Sequence, residues 1–154
     1  MKITDFLSKD CIKVDLKSKT KKDALEDLAD NLVAAGKVTD KAKVMQVLLE
    51  REELGSTGIG QGVAIPHGKT DNVSALVAGF GLSKEGCQFD SLDGDPVNLF
   101  FLLLAPYNAS GIHLKSLAKI SGLLKDKYFR KSLVNCTTAE EVITVISEEE
   151  KLKI

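Results

Sequence analysis

Ile12, Val14 and Leu16 alternate with Lys13, Asp15 and Lys17, the two-residue period of a strand with one buried face. From Lys21 to Ala35 the apolar residues Ala24, Leu25, Leu28, Ala29, Leu32 and Val33 fall on one helical stripe, with Thr20 placed as N-cap and Gly36 at the exit. The spacing predicts a second helix from about Asp40 to Glu53 or Leu54, with Val44, Met45 and Leu48 facing inward. Val63 to Ile65 is a short apolar segment closed by Pro66, and Leu76 to Leu82 is apolar with glycines inside it. Val97 to Ala105 is a nearly continuous apolar run closed by Pro106, which suits a central strand covered on both faces. The turn "SLDGDP" punctuates the approach to it. Beyond it, Leu114, Leu117, Ala118, Ser121 and Leu124 share a helical face, and Tyr128 to Val134 forms a short helix. Thr138 with Glu141 is a capping box opening a terminal helix with Val142, Val145 and Ile146 inward.

The predicted order is β-α-α-β-β-β-α-α-α. It points to an α+β fold, an α/β/α three-layer sandwich in which a mixed central sheet carries helices on both faces. No internal repeat, low-complexity segment or linker divides the chain, so residues 1–154 are expected to form a single domain.

Composition narrows the function classes. Hydrophobic residues at 44% and charged residues at 28% match an ordinary globular protein and exclude a disordered or fibrous one. The 21 basic and 22 acidic residues nearly cancel, which argues against a nucleic-acid binder. The longest apolar run, Leu99 to Ala105, falls well short of the roughly 20 residues that span a bilayer. Lys2, Asp5, Lys9 and Asp10 break up any signal-peptide core. A cytoplasmic protein with no direct membrane insertion is expected. Cys11, Cys87 and Cys136 stand alone, without the paired spacing of a zinc or redox site, and read as buried or half-buried free thiols.

Chemistry concentrates in "STGIGQGVAIPHGKT", Ser56 to Thr70, which sets one of only two histidines between proline and glycine. Two phosphate motifs fail there. Gly58-Ile59-Gly60-Gln61-Gly62 lacks the G-x-G-x-x-G spacing and leads into a strand-like segment instead of a helix. Gly68-Lys69-Thr70 imitates the end of a Walker A loop, but its first glycine would fall at Val63. Histidine chemistry remains, because an imidazole is mostly a free nucleophile near neutral pH. Attack on a phosphoryl group would give a phosphoramidate, which needs nearby donors or counter-charges. The same pattern also fits a surface histidine in a turn, and composition and spacing leave both open. His113, in the loop behind the long strand, fits an ordinary capping or surface role as well as a functional one. A zinc site built on the two histidines lacks any short ligand spacing, and no metal is expected.

The stretch "REELGSTGIGQGVAIPHGK", Arg51 to Lys69, resembles the phosphorylation-site signature of the fructose and mannitol class of enzyme IIA in the bacterial phosphoenolpyruvate-dependent sugar phosphotransferase system. "FDSLDGDPVNLFFLLLAP" and "HLKSLAKISGLL" resemble that family's later segments in the same order, so the similarity covers nearly the whole chain. The resemblance implies the same mixed sheet between helical layers. It implies that His67 takes phosphate on Nε2 from the phosphocarrier HPr and passes it to a sugar-specific IIB protein or domain, with no cofactor. It further implies that His113 is the second active-site histidine and Arg51 a counter-charge for the phosphoryl oxygens. Thr57, Gly60 and Gln61 are expected to stabilise the phosphoryl group, the glycines letting the chain approach it. Gln61 stands where asparagine is common, and Ile112 stands where a polar residue is expected. The alternative is the family's nitrogen-regulatory branch, which signals by phosphorylation-dependent binding to targets.

Overall fold

In a computed structural model, which describes residues 1–153, six strands form one mixed sheet. They are β1 (Ile12–Lys13), β2 (Gly58–Gly60), β3 (Val63–Ala64), β4 (His67–Lys69), β5 (Val77–Cys87) and β6 (Val97–Ala105). The strand order is β1-β5-β6-β3-β2, and β4 also pairs with β6. The apolar run of β6 is central as its composition predicts. It is antiparallel to β5 on one side and parallel to β3 and then β4 on the other. Pro66 separates β3 from β4 because it has no N–H to give to the ladder. Its carbonyl still accepts from the Leu103 N–H at 2.9 Å, so the chain stays in register along β6.

Five helices cover the sheet: α1 (Lys21–Ala34), α2 (Lys41–Glu53), α3 (Ser110–Leu123), α4 (Lys127–Val134) and α5 (Ala139–Leu152). Four are capped by the side chains that sequence preference favours, α5 by Thr138. Thr20 accepts from the Asp23 N–H, Asp40 from that of Lys43, and Asp126 from those of Tyr128 and Phe129. Helices α1 and α2 lie against glycines of the sheet. A Cβ at Gly79 would already touch Leu32, one at Gly81 would drive into Leu16 and Leu28, and one at Gly68 would strike Val47. On the far side, α3 and α4 pack on β6, and α5 packs on α4 and β1. Side chains alternate along a strand, so His67 and Lys69 point away from the α2 face that Gly68 meets. That direction leads to the N-terminal turn of α3, where Lys69 Nζ donates to Ser110 Oγ at 2.8 Å.

Several elements differ from the sequence expectation. Strand β1 is two residues long, although Leu16 returns to the sheet by donating its N–H to Leu82 at 3.0 Å. Strand β5 runs on to Cys87 because a bulge absorbs the residues between Leu82 and Cys87. Val33 is partly exposed on the edge of the α1 stripe. The capping box of α5 is half formed: Thr138 Oγ1 accepts from the Glu141 N–H, whereas the Glu141 carboxylate turns to the Thr137 N–H and hydroxyl. The inward face of α3 consists of His113, Ser116, Ile120 and Leu123, and Leu114 is 66% exposed. Two polar residues take inward positions there, so the leucine-based stripe is rotated by about one residue. Ser116 satisfies its hydroxyl within the helix by donating to the Ile112 carbonyl at 2.8 Å.

The β2–β3 connection is a two-residue hairpin in which Gln61 (φ 58°) and Gly62 (φ 79°) are both left-handed, the arrangement of a type I′ turn. Glutamine has no local hydrogen bond to offset that conformation, whereas asparagine adopts it readily. The Gln61→Asn variant is therefore expected to be more stable by about 0.5–1 kcal/mol. An unchanged or lower urea midpoint would contradict this.

Candidate functional site

The site is assembled from the C-terminal end of α2, the Pro66 junction between β3 and β4, and the first turn of α3. His67 opens β4, half-buried, and its Nδ1 lies 2.7 Å from the Ile65 carbonyl. A carbonyl only accepts, so Nδ1 carries the proton and Nε2 keeps its lone pair. His113, one turn into α3, is 5% exposed. The two rings lie 5.7 Å apart between centroids and are tilted by 54°. The His113 Nδ1 is buried and has no hydrogen-bond partner among the described residues.

Both imidazoles have lowered pKa values, which favours their neutral forms. Burial lowers the His67 pKa below its ordinary value, and the Arg51 charge pushes the same way. The Ile65 carbonyl and Glu52 pull in the other direction. For His113, burial first, then the repulsion it would meet from a protonated His67 and from Lys69, lower the pKa to about 4. A neutral histidine with a free Nε2, next to a second histidine and within the field of an arginine, can accept an electrophilic group and steady the charge that group carries.

Arg51 lies in the last turn of α2, half-buried, and its Nη1 donates to the Gly55 carbonyl at 2.9 Å. The fork is thereby steadied at one nitrogen and keeps further donors. Thr57 is 3% exposed, and both its donors are taken by Glu52. Its N–H reaches Oε1 at 3.0 Å, and its hydroxyl bonds Oε2. Gly60 and Gln61 sit at the hairpin end, where the Gln61 N–H donates to Asp93 Oδ2 at 2.9 Å. A Cβ at Gly58 would lie 2.6 Å from Ser91 Oγ, one at Gly60 3.1 Å from Asp93 Oδ2, and one at Gly62 3.1 Å from Asn98 Oδ1. These glycines let the hairpin pack against the chain from Ser91 to Asn98, and the amide offered by Gln61 is already engaged by a carboxylate. The structure thus brings His67, His113 and Arg51 to one place, and gives Thr57, Gly60 and Gln61 protein partners.

Two residues escaped the sequence reading. Glu52 is 8% exposed and paired with Lys21 at 3.1 Å. Its signal was a charged residue falling on the Met45–Leu48 stripe of α2. Lys69 shares the face of His67 by the two-residue period and ties β4 to α3 through Ser110. The three cysteines are free and buried, with Cys87 raised to about 11 chiefly by burial. Among the described residues, no group of three His, Cys, Asp or Glu side chains is placed to hold a metal ion, and no helix is long and apolar enough to cross a membrane.

Comparison with known proteins adds an independent line. The family model described as "Phosphoenolpyruvate-dependent sugar phosphotransferase system, EIIA 2" matches residues 5–149. The fructose-specific EIIABC component of Bacillus subtilis is 38% identical over 151 residues, which is 98% of this chain and 24% of that protein. The chain thus spans about a quarter of the length of that relative. The crystal structure of nitrogen regulatory protein IIA-Ntr from Neisseria meningitidis superposes with a TM-score of 0.87 at 40% identity, covering 94% of this chain and 98% of that one. A solution structure of enzyme IIA mannitol in complex with phosphorylated enzyme IIB mannitol from Escherichia coli superposes with a TM-score of 0.76 at 26% identity, covering 90% and 95%.

Proposed function

The chain belongs to the EIIA 2 family of the phosphoenolpyruvate-dependent sugar phosphotransferase system, and from that premise we propose that it is a phosphocarrier whose acceptor atom is Nε2 of His67. The observation that carries this reading is the hydrogen bond from His67 Nδ1 to the Ile65 carbonyl, which leaves the lone pair on Nε2. The phosphoryl group comes from phospho-HPr. A bond forms between Nε2 and phosphorus as the donor's bond to phosphorus breaks, and no proton has to leave His67. The Ile65 carbonyl, already holding Nδ1–H, takes up part of the positive charge that grows on the ring. The guanidinium of Arg51 and a ring N–H of His113 face the phosphoryl oxygens. Transfer to a IIB protein or domain reverses these steps and frees Nε2 for the next cycle.

Substrate and product are both phosphoproteins, so a docking surface is required. Leu54, next to the end of α2, and Ile112 and Leu114, which flank His113, are exposed apolar residues bordering the site. They would form the rim on which a partner seats while His67 meets its phosphorylated residue. A cytoplasmic location and fructose- or mannitol-type sugar uptake follow from the same reading. The likeness to IIA-Ntr favours a second reading, in which the same phosphorylation governs binding to regulatory targets.

Incubation with phosphoenolpyruvate, enzyme I and HPr, followed by intact-mass measurement at neutral or mildly alkaline pH, should show one added phosphate. Transfer of that phosphate to a IIB protein then favours the uptake role, and its retention favours the regulatory one. No gain from a working HPr supply would overturn the carrier reading. The Arg51→Lys variant keeps the charge but loses the planar fork, and is expected to slow phosphorylation by about tenfold. A wild-type rate would remove Arg51 from the chemistry.

A further inference from the structure

The transfer steps leave Glu52 without a role, yet it is a buried carboxylate directly after Arg51. A charge in that position is tolerated only when paired and hydrogen-bonded. Lys21 supplies the pairing at 3.1 Å, and Thr57 supplies two hydrogen bonds, one from its N–H and one from its hydroxyl. The chain of contacts continues beyond Thr57. The Thr57 carbonyl accepts from the Ile65 N–H at 3.0 Å, and the Ile65 carbonyl is the group that holds His67 Nδ1–H.

We infer that Glu52 and Thr57 are positioning residues for His67, acting through a continuous hydrogen-bonded path Glu52–Thr57–Ile65–His67 that fixes the tautomer and rotation of the imidazole. The path crosses the junction between β3 and β4, where Ile65 itself lies outside both strands. Pro66 removes an N–H from the ladder, and β3 before it is only two residues long. Without the anchor at Thr57, the Ile65 carbonyl loses its fixed direction, and His67 can carry its proton on either nitrogen. The same anchor helps to place Arg51, because Arg51 adjoins Glu52 and donates to Gly55 in the loop that Glu52 pins. The Thr57 hydroxyl is spent on this contact, so its part in transfer is indirect.

The inference rests on the carrier reading for its purpose but is measured separately from it. Ring-nitrogen NMR of His67 in the unphosphorylated protein reads the tautomer, and the rate of phosphorylation at saturating phospho-HPr reads the consequence. Wild-type protein should show the Nδ1–H form alone. Thr57→Val, which removes the hydroxyl at nearly constant volume, should populate the Nε2–H form and lower the saturated rate about tenfold to a hundredfold. Thr57→Ser should restore both. A folded Thr57→Val protein with the wild-type tautomer and rate would overturn the inference. If Thr57→Val fails to fold, Glu52→Gln, which keeps the shape and removes the charge, carries the same test with the same two outcomes. A tautomer change in these variants, in a protein that takes no phosphate even as wild type, would sustain the positioning role while removing the carrier reading.

Discussion

Replacing His67 by alanine is expected to abolish the gain of phosphate completely while leaving the protein folded. The structural cost is small because β4 is held through its backbone, paired with Leu103 to Ala105 of β6. The lost side chain makes one hydrogen bond, to the Ile65 carbonyl, and such a bond contributes about 1 kcal/mol net. The chemical cost follows from the carrier reading, which puts the acceptor lone pair on His67 Nε2. His113 is nearly fully buried, which leaves its ring little access to a partner's phosphorylated residue. Intact-mass measurement with circular dichroism on the same sample checks both halves. A phosphate that persists in a folded His67→Ala protein would place the acceptor elsewhere and end the assignment.

The parts of this fold that were legible were those whose own residues dictate their structure. The unbroken apolar run of β6, the stripe of α1 and its Thr20 cap, and the Val44, Met45 and Leu48 face of α2 are local signals, and all appear where the sequence put them. Strands β2 and β4 were not legible, because Gly58–Gly60 and His67–Lys69 carry little strand propensity. They are strands because a neighbour pairs with them. The face of α3 was misread for a related reason: hydrophobicity ranks Leu114 inward, but packing placed His113 and Ser116 there.

The site follows the same division. A histidine between Pro66 and Gly68 stands out in any reading of the chain, and with the family signature it directs attention to Arg51 and His113. The glycines before it were read as room for a phosphoryl group, whereas the close atoms at Gly58, Gly60 and Gly62 belong to Ser91, Asp93 and Asn98. Phosphate-loop logic assumes that free amides face a ligand, and only the tertiary fold reveals that a carboxylate already occupies one. Glu52 and Lys69 were hidden because a charged residue is assumed to be solvated until packing shows otherwise.

Removing His113 is expected to separate the two halves of the cycle: His113→Ala should still accept phosphate on His67 but pass it on about a hundredfold more slowly. Acceptance needs the Nε2 lone pair, which Ile65 secures without help from His113. Onward transfer needs the charge on the phosphoryl oxygens to be met in a site from which water is being expelled, and there one lost donor matters most. His113 can act as that donor because it is neutral yet still carries one ring N–H, and because its pKa of about 4 keeps it so throughout the physiological range. That depressed value also ties the residue to stability. An unfolded chain protonates this histidine near its ordinary 6.5 and the folded one only near 4, so its contribution is complete above 6.5 and is lost progressively as pH falls toward 4. Urea unfolding between pH 7 and pH 4.5 should therefore decline less steeply for His113→Ala than for wild type. Purified phospho-protein mixed rapidly with a IIB acceptor gives the transfer rate directly. A wild-type rate in the variant would leave Arg51 as the main counter-charge and reduce His113 to a packing residue, and the pH series would then show whether its burial affects folding alone.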